Sequence, residues 1–168
     1  MTPTAIFNIQ LGLGYVPWLL CFGAYGWPRL LAMSPVDAHR AIATLHSFRF
    51  FGLVFLLPGV VGPGLPAGFA APAAWGDFAT GVLAMLALMS VRIRPVFWGL
   101  VASFNVVGML DLLIDYYHGV TLGLPEVSGQ LAATYVIPIV YVPILMITHV
   151  AGFVLLARTT SRTAQFAT

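Results

Sequence analysis

His46 and Arg49 stand within one turn of each other in TLHSFRFFGLVFLLPGVV (Thr44 to Val61), a run otherwise greasy enough to face lipid. Ionisable side chains inside apolar spans are costly and turn inward, toward partners or a cavity. The remaining candidates of this kind are Asp111, Asp115 and His149, with Asn105 as a neutral companion and Tyr135 on the last apolar stretch. At 100° per residue, His46 and Arg49 lie about 60° apart, and Asn105, Gly108, Asp111 and Asp115 share an arc of about 120°. Tyr135, Val142, Met146, His149 and Phe153 share a face of the last span.

Three chemistries fit such residues. His46, Arg49 and His149 could hold the polar end of a lipophilic or quinone-like molecule, with Asn105, Asp111 and Tyr135 as further ligand-binding candidates and Met85, Met89, Met109 and Met146 as apolar lining. The imidazoles of His46 and His149, on different helices at similar depth, are the minimum set for a b-type haem. Asp111, well inside its span, needs a partner or a proton, which admits a proton-coupled enzyme or transporter with a histidine as acid or base. Structural alternatives stand beside each. Arg49 could snorkel to the headgroups, His46 and His149 could bond a loosened carbonyl or a hydroxyl such as Ser47 or Thr148, and Asp115 could lie solvated at the interface. No G-x-S-x-G, P-loop, H-E-x-x-H or dinucleotide fingerprint is present, so no catalytic residue is assigned.

The elements that must carry these residues follow from composition. Sixty per cent of the chain is hydrophobic and only 7% charged, too little polar surface for a soluble globule of 168 residues. A multi-pass membrane protein is expected, with the bilayer as its first partner. The seven basic residues are all arginine and are dispersed, which excludes a nucleic-acid surface. The single cysteine, Cys21, lies in an apolar run and is expected to pack. The Ala, Gly, Pro and Arg bias points to a GC-rich bacterial genome, hence to the bacterial inner membrane.

Five stretches are long enough to cross a bilayer, at about 5–25, 42–61, 76–93, 96–117 and 131–157. They predict an all-α bundle forming a single membrane domain, with a cytoplasmic segment at 26–41 and outer loops at 62–75 and 118–130. Arg29 and Arg40 precede the second span, Arg92 and Arg94 separate the third from the fourth, and Arg158 and Arg162 follow the fifth. The positive-inside rule then puts the N-terminus outside and the C-terminus in the cytoplasm. A four-span arrangement would place an arginine pair on the wrong side.

The start MTPTAIFNIQLGLG lacks a positive n-region and reads as a retained helix, able to pack closely at its glycines and to kink at Pro17. Ser34, Pro35 and Asp37 form a helix start, so Asp37, His39 and Arg40 are expected in solvent before the second span, which should bend near Pro58. The apolar outer loops suit a surface against headgroups or another subunit, homo-oligomeric or foreign, and also a lid. In this frame His46, Arg49 and His149 fall in the cytoplasmic half, with Asp111 and Asp115 in the outer half. Pro138 and Pro143 make the fifth span the least regular.

Overall fold

The computed structural model describes residues 1–165, with side chains through Thr159, so Arg162 lies outside the described side chains. The described residues are helical and contain no β-strand. Helix α1 is Pro3–Cys21, α2 is Trp27–Ala32, α3 is Pro35–Ser47, α4 is Ala67–Met89, α5 is Arg94–Thr121 and α6 is Val142–Gln165. Four helical runs are long and apolar enough to cross a membrane: Pro3–Ala32, Ala67–Met89, Arg94–Thr121 and Ile137–Thr159. By length and composition they mark a membrane protein.

The first run is a nearly continuous rod, because a π-helical turn, Phe22–Gly26, joins α1 to α2 without a break at Pro17. Segment 26–41 is therefore mostly helix, with the chain turning at Met33 and Ser34. Ser34 caps α3 as its sequence requires, its hydroxyl accepting from the Asp37 amide at 3.2 Å, with Pro35 at the first helical position. The Ser34 hydroxyl and Arg40 beside Asp37 hold that carboxyl below its usual range.

His39 departs from expectation. Solvent was its expected environment beside Asp37 and Arg40, but it is fully buried and lies edge-on to Trp98, ring centroids 5.3 Å apart. The reason is the apolar cluster around it, in which Leu30 at the end of the first rod packs with Ala38, Ile42 and Phe97. Neither ring nitrogen of His39 has a hydrogen-bond partner among the described residues.

The second expected span does not run unbroken to a bend at Pro58. Helix α3 stops at Ser47 and continues as a 3₁₀ segment, Phe48–Leu56, that ends before the proline with Leu57 extended. Proline disfavours helical backbone in the residue ahead of it, so Pro58 terminates the segment instead of kinking it.

The expected outer loop 62–75 is also mostly helix. Helix α4 opens at Ala67 behind Pro66, and Pro72 sits early enough to leave only the Gly68 carbonyl without its helical partner. Its buried face, Ala70, Ala73, Ala74, Asp77, Thr80, Gly81, Ala84 and Ala87, is a stripe of small residues that lets neighbouring backbones come close. Helix α5 returns antiparallel after the short turn at 90–93 and runs on to Thr121, beyond its expected end.

The last span is irregular as its prolines require. It begins as a 3₁₀ segment, Ser128–Tyr135, broken at Ala132 (φ 45°, ψ −120°), passes through a π-helical turn, Ile137–Tyr141, and becomes α6. Trp18 of α1 donates its indole N–H to the Val140 carbonyl at 2.7 Å, and Gly14 is the point of closest approach, since a Cβ there would overlap the Ile139 carbonyl. Gln130 ties down the chain before α4, accepting from the Gly62 amide at 2.7 Å with its backbone and from the Gly64 amide at 3.0 Å with its side chain. Two apolar cores result. One gathers Phe7, Phe55, Phe69 and Leu131, the other Ile42, Phe97, Val101 and Phe104, and a polar layer separates them.

Candidate functional site

The polar layer is centred on Arg49, which is fully buried and does not snorkel. Its Nε donates to Asp77 Oδ1 of α4 at 2.6 Å, and its Nη2 forms a short ion pair with Asp111 Oδ2 of α5. Nη1 donates to the Gly108 carbonyl at 3.2 Å and to His149 Nε2 of α6 at 3.1 Å. One guanidinium therefore ties the 3₁₀ segment to three helices. Its planar fork of five N–H donors makes this possible, where a lysine would offer a single point of charge.

The tautomers follow from these bonds. Arginine only donates, so His149 Nε2 accepts and its Nδ1–H points to Asn105 Oδ1, 3.2 Å away. Asn105 in turn donates to the Val101 carbonyl at 2.8 Å. Thr148 donates to the Ile144 carbonyl at 2.7 Å, so its oxygen is left to accept from His46 Nε2 at 3.0 Å. This is the hydroxyl partnership expected for His46. It leaves His46 Nδ1 buried with a free lone pair.

Of the residues singled out from sequence, His46, Arg49, Asn105, Asp111 and His149 meet in one cluster. Tyr135 does not join them. Its hydroxyl donates to Gln10 Oε1 at 2.6 Å and its ring lies edge-on to Phe7, so it braces the N-terminal half of α1. The expected separation of Arg49 from Asp111 into opposite halves is also corrected. The long Arg49 side chain supplies reach, and α5 runs beyond its expected end, which brings Asp111 deeper into the bundle.

A haem between His46 and His149 does not fit. The rings lean on each other at 3.9 Å between centroids and 35° between planes, whereas axial imidazoles stand on opposite faces of a macrocycle. Both Nε2 atoms are also engaged by protein partners. Among the described residues no group of three or more His, Cys, Asp or Glu is arranged to hold a metal ion.

Asp77 is the member that sequence reasoning missed. It stands at the very start of the expected span 76–93, but α4 starts at Ala67 and puts it in the third turn, 5% exposed. A signal was present in the glycines. A Cβ on Gly52 would overlap Asp77, one on Gly76 would overlap Asp111, one on Gly108 would overlap His149, and one on Gly152 would overlap Asn105. Four polar side chains of the layer, Asp77, Asp111, His149 and Asn105, thus rest on a glycine of a neighbouring element.

A cavity of about 80 Å³ lies beside the layer, between α1, the start of α4, the C-terminal part of α5 and the π-helical turn Ile137–Tyr141. Apolar groups such as Leu11, Phe55, Phe69 and Leu112 form most of its wall, and Asp77 and Asp115 supply its charged end. Asp115 was expected in solvent, but its Oδ1 is buried and has no hydrogen-bond partner. Tyr116 closes one side, its hydroxyl 2.6 Å from that of Tyr15. None of Met85, Met89, Met109 and Met146 lines this cavity. Met146 instead faces a shallow groove between α1 and α6.

Residues 6–157 match the family described as a domain of unknown function, DUF8737. The chain belongs to that family. No curated protein and no solved structure matches it. The DUF8737 match contains every residue of the polar layer and of the cavity wall.

Proposed function

We propose that the protein is a five-crossing membrane protein of a bacterial cytoplasmic membrane, N-terminus outside, that holds a lipophilic small molecule in the cavity beside Asp115. The observation carrying the ligand is that cavity: an apolar chamber ending in a carboxylate with a buried, unpartnered oxygen. Binding sites are concave, mostly apolar and oriented by a few polar groups, which is this arrangement. The polar layer supports it as a rigid floor, because Asp77 belongs to both.

The fifth crossing is α3 with the 3₁₀ segment. At about 1.5 Å and 2.0 Å rise per residue the two together reach roughly 38 Å, enough for a bilayer core. Phe48, Phe50 and Phe51 are exposed there, as lipid-facing residues would be. With Cys21→Ala as background, Pro63→Cys is expected to react with an impermeant maleimide added to intact cells, and Met33→Cys, at the other end of α3, only after the cells are opened. Equal reactivity of the two would mean that α3 does not cross and would overturn the five-crossing topology, and the reverse pattern would overturn the orientation.

For the ligand, protein extracted in mild non-ionic detergent is expected to carry a lipophilic molecule detectable by mass spectrometry, at close to one per chain. Asp115→Leu with Phe69→Trp, which fills the chamber, should abolish that retention in protein that remains folded. A wild-type preparation free of such molecules, and neither binding nor stabilised by any added lipid, quinone or amphiphile, would leave a subunit role as the better account.

A further inference from the structure

The chemistry of the cavity specifies more than a lipophile. Its wall contains no Lys, Arg or His. Arg49, the cation nearest to it, is committed to Asp77, Asp111, the Gly108 carbonyl and His149. Asp77, Asp111 and Asp115 therefore face one guanidinium, and in a low-dielectric interior surplus negative charge calls for a proton or a cation. A second feature points the same way. Phe7, Phe55, Phe69 and Tyr116 contribute aromatic rings to the wall, with Phe55 and Phe69 edge-to-face at 5.7 Å between centroids. Rings around a carboxylate form the kind of box that recognises ammonium groups, through attraction of the cation to the ring faces.

We propose that the cavity takes the ammonium head of a lipophilic amine or quaternary ammonium compound, held by Asp115 and Asp77 among the rings of Phe7, Phe55, Phe69 and Tyr116. The proposal rests on the reading of this chamber as a ligand site. An anionic head would meet the carboxylates of Asp77 and Asp115, with Asn8 and Tyr116 as the neutral polar residues of the wall. A neutral alcohol would satisfy the free oxygen of Asp115 and leave the charge uncompensated.

The test is a series of amphiphiles with one tail and different heads, presented to the full chain in non-ionic detergent. Octyltrimethylammonium, octylamine, octanol and octanoate are titrated by equilibrium dialysis, with the unfolding midpoint as a second readout. Both ammonium compounds are expected to bind at least about tenfold more tightly than octanol, and octanoate not at all. Asp115→Asn should bring the ammonium compounds down to the level of octanol. Octanol binding as tightly as the ammonium compounds to the wild-type chain would overturn the ammonium assignment and leave the ligand site standing. Binding of none of the four would remove the ligand site and the assignment with it.

Discussion

Arg49→Met should cost the folded protein about 3–5 kcal/mol, the usual penalty for removing one partner of a buried ion pair. The loss would show as a sharp fall in the detergent unfolding midpoint and in membrane yield. The magnitude follows from what is left behind. Asp77 and Asp111 would remain buried without their cation, the Gly108 carbonyl would lose a donor, and His149 would lose the bond that orients Nε2. Arg49→Lys should recover only part of this, because an ammonium cannot reach four partners on three helices in one plane. Adding Asp77→Asn and Asp111→Asn to Arg49→Met should restore more stability than the lysine does, since it removes the stranded charges. Equal stability of Arg49→Met and wild type would mean that the arginine is solvated and that the polar layer does not exist as described.

Gly108→Ala should destabilise by about 1–3 kcal/mol, the range for forcing an extra methyl into a packed interior. The new Cβ would collide with His149 Nε2 and with Thr80, and His149 cannot withdraw without breaking its bonds to Arg49 and Asn105. Gly76→Ala should behave alike through Asp111. Gly99→Ala on the same α5 is the control, because nothing lies within 4 Å of its Cβ. There alanine should be neutral or stabilising, up to about 1 kcal/mol, from its better helix propensity. Parallel thermal unfolding of the three variants decides the matter: equal midpoints for Gly108→Ala and Gly99→Ala would show that the glycine seat is not tight.

Much of the fold was legible because its causes are local. Apolar runs report burial in lipid whatever their neighbours, so the α-helical membrane class follows from composition and length. The capping of α3 by Ser34 is written within four residues, and the irregular entry to α6 follows from Pro138 and Pro143. The candidate site was legible in its membership, since charge inside an apolar run is conspicuous: Arg49, Asp111, His149, Asn105 and His46 each stand out for that reason.

Their arrangement was not legible, because it depends on where helices begin and how they wind. Pro66 and Pro72 read as loop and turned out to open α4, which buried Asp77. The run of α5 on to Thr121 leaves no mark in residue types, yet it helps to put Asp111 within reach of Arg49. Tyr135 shares a helical face with His149 on paper, but the π-helical turn Ile137–Tyr141 between them changes the phase, and Tyr135 points to Gln10 of α1 instead.

The sequence by itself determined that this chain is helical, lives among lipids and must bury a few charges, because each of those outcomes is set by transfer free energy residue by residue. Only the tertiary structure decided that one arginine answers two aspartates and a histidine, that glycines make room for them, and that a third aspartate is left facing a chamber. Those depend on register between helices, which packing sets across distances the chain does not encode locally.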